Sequence, residues 1–124
     1  MENINTYILE KLRINKNIEI SDKVDPYDAR NYKIGDIICV VYQYSSRHVH
    51  FFKITGFKGK TIVQMKELKK KTVSGDWQNG SCVPTEEIID SEDTIAKINN
   101  KGRLKLKDYF CYLWNGEPED FYTD

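Results

Sequence analysis

Histidine occurs only twice in the 124 residues, and cysteine and proline three times each. His48 and His50 have a two-ligand spacing on a strand, but a zinc site wants three or four ligands. Cys39, Cys82 and Cys111 show no CxxC spacing and read as reduced thiols. No metal and no cofactor is expected. Walker, GxSxG and HExxH motifs are missing, as is an H-x-E paired with P-C-x-x-C, so no enzymatic activity is expected. Net charge is absent too: Lys plus Arg and Asp plus Glu are 19 each, which removes any global pull toward nucleic acid or membrane. No run approaches the roughly 18 apolar residues of a membrane helix. The opening MENINTYILEKLRIN lacks the basic start, apolar core and cleavage site of a signal peptide. No membrane association and a cytoplasmic address are the expectations.

What is present fits one globular domain. Forty per cent of residues are hydrophobic and 31% charged, enough apolar material for one core. Ile4, Tyr7, Ile8 and Leu12 fall at helical spacing, which predicts a short helix over 3–13. Residues 15–34 read as a polar connector with one short strand, Asn17 to Ile20. From Gly35 the period becomes two. GDIICVVYQY (35–44) is apolar on both faces and predicts a covered central strand. Ser45–Arg47 form a turn, and HVHFFKITGF (48–57) is the second strand. Gly59 sits in a tight connection to a third strand, KTIVQMKEL (60–68). Residues 71–84 contain Gly75, Gly80 and Pro84 and read as a long loop or irregular hairpin. Residues 86–98 hold a helical turn or a short strand. RLKLK (103–107) alternates cleanly, and YFCYLW (109–114) is a last apolar strand. About five strands predict a mainly β fold: a small, bent SH3-like barrel, or an OB-like one, with a short N-terminal helix. Residues 1–31 are then helix and connector, 32–116 the barrel, and 117–124 a loose acidic tail in which Phe121 and Tyr122 offer anchors.

YQYSSRHVHFF (42–52) concentrates aromatic and basic side chains. The plain reading is that Tyr42, Phe51 and Phe52 fill the core while the histidines face water. The alternative is a ligand surface: Tyr42, Tyr44, His48 and His50 offer stacking faces, and Arg47 and Lys53 offer charge to a phosphate. Register decides which residues the tyrosines face, and a one-residue slip reverses the answer. Trp77 sits in a glycine-rich loop as a candidate ligand anchor; Trp114 suits a core plug. Between Arg47 and Lys71 eight basic residues meet one acid, Glu67. Lys58, Lys60, Lys66, Lys69, Lys70 and Lys71 form a basic patch suited to nucleic acid or nucleotide phosphate. The acidic stretches 85–93 and 117–124 balance it, or serve a protein partner.

GDIICVVYQYSSRHVHFFKI, GKTIVQMKEL and YLWNGEP occur in that order over about residues 32–118. Together they resemble a family of small proteins encoded by phages and other mobile elements. That family pairs a Gly-Asp strand and a Trp-x-Tyr segment with Val-x-Phe-Tyr and a closing Trp-Asp-Gly-x-Pro. Gly35, Asp36, Tyr44, Val49, Phe51, Phe52, Gly59, Trp114, Gly116 and Pro118 match the pattern. Tyr42 stands in place of the usual tryptophan. Ser46, Arg47, His48 and His50 stand in place of polar and acidic turn residues, which makes the turn basic. The resemblance implies a phage-type origin and carries no assigned activity.

Two functions follow as expectations. One is a non-enzymatic counter-defence protein that captures a phosphate-bearing ligand, a nucleotide signal or nucleic acid, in the host cytoplasm. The other is a protein-interaction module that inhibits a host defence protein. Pairing of barrel edges into a homo-oligomer stays open.

Overall fold

A computed structural model describes residues 25–123. The expected helix over 3–13 and the strand Asn17 to Ile20 lie outside the described residues. Eight antiparallel strands follow: β1 (Ile37–Gln43), β2 (Arg47–Lys58), β3 (Ile62–Gly75), β4 (Asn79–Ile88), β5 (Thr94–Ile98), β6 (Leu104–Lys105), β7 (Phe110–Leu113) and β8 (Glu119–Tyr122). A single 3-10 turn, Ala29–Asn31, precedes them, capped by the Asp28 carboxylate on the Arg30 N–H.

The chain is mainly β and closes a four-strand barrel, in keeping with the sequence reading. The ring runs β2–β3–β4–β8 and back to β2. β1 continues the sheet outward from β2 and carries β7 on its other edge. β5 and β6 extend the other edge of β3.

β1 shows why IICVV reads as a central strand. Ile38 and Val40 enter one apolar cluster with Phe52, Ile54, Val63 and Met65. Cys39 and Val41 enter the other, with Val49, Phe51, Leu68 and Trp114. Alternate residues point to opposite faces, so apolar residues at every position fill two cores from one sheet. Each large side chain so buried contributes roughly 1.5–3 kcal/mol.

Of the two readings offered for residues 71–84, the irregular hairpin holds: they are the outer half of a long β3–β4 hairpin with register shifts at Leu68/Lys70 and Thr72/Ser74. Three expectations change. The strands among the described residues number eight, not about five. RLKLK contributes only Leu104–Lys105, because Lys107 turns the chain at φ 56°. Residues 119–122 are not a loose tail: as β8 they close the ring, pairing with β4 from Asn79↔Tyr122 to Cys82↔Glu119 and with β2 at Arg47↔Tyr122.

Candidate functional site

The register settles the geometry of the aromatic stretch. Tyr42 pairs with His48, Val41 with Val49 and Val40 with His50. Paired residues share a face, so Tyr42 stands beside His48. Phe51 and Phe52 are buried on opposite faces and belong to the core. Tyr44, by contrast, is 83% exposed.

Arg47, Tyr122 and Asn79 stand abreast across β2, β8 and β4. The turn at 44–46 and the turn at 76–78 therefore rise from the same end of the barrel, two strand spacings or roughly 10 Å apart. Tyr44 tops the first turn. Trp77, 76% exposed, tops the second. Tyr42 lies 6.2 Å from the Tyr44 ring and 5.5 Å, edge-on, from Tyr109. An aromatic rim results.

The Trp77 turn is built by its neighbours. The Asp76 carboxylate accepts from the backbone N–H of Gln78 at 2.9 Å and of Asn79 at 3.1 Å. Those N–H dipoles hold its carboxyl below the usual range. Gly75 precedes it at φ 81°, where a Cβ would lie 2.1 Å from the Asn79 carbonyl oxygen. The Thr123 N–H donates to the Gln78 carbonyl at 2.7 Å and ties the turn to the end of β8.

A seam opens below this rim. β2 pairs with β3 as far as Phe51↔Leu68 and then turns to β8, while β3 runs on to Gly75. The gap is a cleft of about 250 Å³ lined by His48, Lys70, Thr72, Trp77, Phe121 and Thr123, among others. Lys70 spans it, with Nζ donating to the Val49 carbonyl at 2.6 Å. The structure thus gathers three sequence-predicted residues, His48, Lys70 and Trp77, in one place. Thr72, Phe121 and Thr123 were missed, for their meeting depends on β8.

The other candidates have different positions. Arg47 belongs to a polar cluster that seals β8. Its guanidinium bonds the Asp120 carbonyl, the Tyr112 hydroxyl at 3.3 Å and the Glu119 carboxylate at 3.5 Å. The Tyr112 hydroxyl donates to Glu119 at 2.7 Å, and burial together with that carboxylate pushes its phenol well above the usual value. His50 Nδ1 lies 2.9 Å from Glu67. Lys53 is exposed and pairs in register with Lys66. Lys66 pairs with Asp93 at 3.0 Å and Lys69 with Glu87 at 4.0 Å, so the acidic stretch 85–93 does offset part of the basic patch. Lys71 is exposed opposite Val83. Lys58 and Lys60 flank the turn at the far end of β2, away from the rim.

Among the described residues, no group of three or more His, Cys, Asp and Glu side chains is placed to hold a metal. None of the described helices is long and apolar enough to cross a membrane. The chain matches no protein-family model, no curated protein and no solved structure.

Proposed function

We propose that this chain is a non-enzymatic binding protein whose rim and seam take a single strand of nucleic acid. The observation that carries the reading is that exposed Tyr44 and Trp77 top two turns at one end of the barrel, about two strands apart, with Trp77 and the lysine Lys70 lining the seam below. Base stacking on exposed aromatics beside a basic groove is the common physical basis of sequence-tolerant single-strand binding. The cleft, at about 250 Å³, is smaller than the roughly 300–1,000 Å³ that engulfs a small molecule. That size favours an extended ligand crossing the surface over a captured nucleotide signal. The family resemblance supports a mobile-element origin, with counter-defence in the host cytoplasm as the setting.

Tryptophan fluorescence tests it. Trp114 is 3% exposed and Trp77 is 76% exposed, so a ligand at the rim quenches one and not the other. A ten-nucleotide oligo-dT or oligo-U is expected to quench the Trp77 signal. Stacking contributes roughly 1–3 kcal/mol per base, so Trp77→Ala, followed by a label on the oligonucleotide, weakens binding about 5- to 150-fold. Lys70→Ala flattens the salt dependence. Unchanged affinity in both variants overturns the site. Arg47 is a poor probe, because its loss also loosens β8.

A second reading rests on Ile88, Ile89 and Ile95, exposed at 46%, 56% and 46% along the outer edge of β3. Apolar residues bordered by the Lys66–Asp93 and Lys69–Glu87 pairs suit a protein contact. That reading is favoured if oligonucleotides fail to bind and Ile89→Asp abolishes capture of a defined host defence protein.

A further inference from the structure

The far end of the barrel holds a second cleft, larger than the seam at about 360 Å³. Its floor is apolar: Ala29, Tyr32 and Ile98 are 1%, 7% and 9% exposed. Tyr32 brings no free hydroxyl, for its O–H donates to the Pro26 carbonyl, and burial keeps the phenol neutral. Phe57, 37% exposed, forms a wall. The lip carries Arg30 and Lys60, and no carboxylate lines the cleft.

Arg30 is held in place from behind. Its Nε and Nη2 each donate to Asp28 at 2.8 Å. The guanidinium lies so close to Gly102 that a Cβ there would stand 2.6 Å from Nε. Nη1 takes no part in the Asp28 bonds. Arg30 and Asp28 neutralise each other, so the charge of the lip is that of Lys60, which forms no ion pair among the described residues.

We propose that this cleft binds a small amphipathic monoanion: a flat apolar body on the Ala29–Tyr32–Ile98 floor against Phe57, with its carboxylate, sulfonate or phosphate ester at Lys60 and Arg30. The size falls within the range of small-molecule sites. An apolar floor with a few placed polar groups fixes ligand orientation, and a guanidinium already held by a carboxylate loses little freedom on binding. The site is separate from the rim and does not depend on the single-strand reading.

The test is an NMR titration of the whole chain with 2-naphthoate, and with 2-naphthol as the uncharged probe. Expected are amide shifts confined to Ala29–Tyr32, Phe57–Lys60 and Ile98, with 2-naphthoate binding at least tenfold tighter than 2-naphthol. Lys60→Glu, an exposed turn change that spares the fold, weakens 2-naphthoate at least tenfold. Phe57→Ser weakens both probes. Trp77→Ala changes neither. Shifts spread over the surface, equal binding of the two probes, or full affinity in Lys60→Glu overturn the proposal.

Discussion

Trp77 and Trp114 are chemically identical and do opposite things. Trp114 stacks edge-on with Phe51 at 5.8 Å and donates its indole N–H to the Glu117 carbonyl at 2.7 Å. Trp114→Ala removes a filled volume and leaves that carbonyl unmatched, so it is expected to cost about 3–5 kcal/mol in urea unfolding. Trp77→Ala, at an exposed turn, is expected to stay within about 0.5 kcal/mol. Equal losses would mean that Trp77 packs in the fold. Asp28 offers a pH reading. Its bonds with the Arg30 side chain and N–H lower its carboxyl from the ordinary 3.8 to about 2. A depressed carboxyl stabilises the folded state above its unfolded value, so this contribution is complete above about pH 4 and vanishes as pH falls through about 2. The NMR titration of its carboxyl carbon is expected to show a midpoint near 2, and Arg30→Gln to return it toward 3.8. The thiols carry the same logic with the opposite sign. Burial pushes Cys111 up to about 11 and raises Cys39 and Cys82 as well. All three are expected to resist thiol reagents at pH 8 until the chain unfolds.

Among the elements, the β3–β4 hairpin depends most on one backbone position. Gly75 needs φ 81° and leaves no room for a Cβ. Gly75→Ala is therefore expected to cost about 2 kcal/mol or more and to disturb Trp77, readable as a changed emission maximum. Unaltered stability and emission would mean that the turn can form another way. The same hairpin shows what a sequence can reveal. The two-sided burial of β1 was legible because IICVV leaves no polar face, and the β1–β2 and β2–β3 hairpins because their partners are near in the chain. The outer β3–β4 pairing was legible only as one of two readings, because Gly75, Gly80 and Pro84 break the run and two bulges shift the register. β8 was missed for a different reason. EDFY is short and acidic, and its hold on Arg47 joins residues 73 positions apart, as the Arg47–Asp120 bond shows. The cleft inherits that difficulty. His48, Lys70 and Trp77 were legible as residue types, but their meeting follows from where β2 leaves β3.

At the scale of the whole molecule, two cores share one central layer. β1 and the middle of β2 are covered on both faces, whereas β8 is held to β2 by one residue pair. Hydrogen exchange is expected to follow this order: the Val40 amide exchanges about 100-fold or more slowly than the Tyr122 amide. The reverse order would mean that β8 belongs to the most stable unit. The ring-closing strand is also the last of the eight to be made. Between Ile88 and Glu119, a ribosome adding roughly 5–20 residues per second needs seconds, whereas hairpins form in about 1–10 μs. Without β8 the ring lacks the strand between β4 and β2, and the cluster that holds Phe51, Leu68 and Cys82 lacks the Phe121 that packs against it. The apolar cluster that the finished ring hides is therefore fully covered only once residues 119–122 have been made.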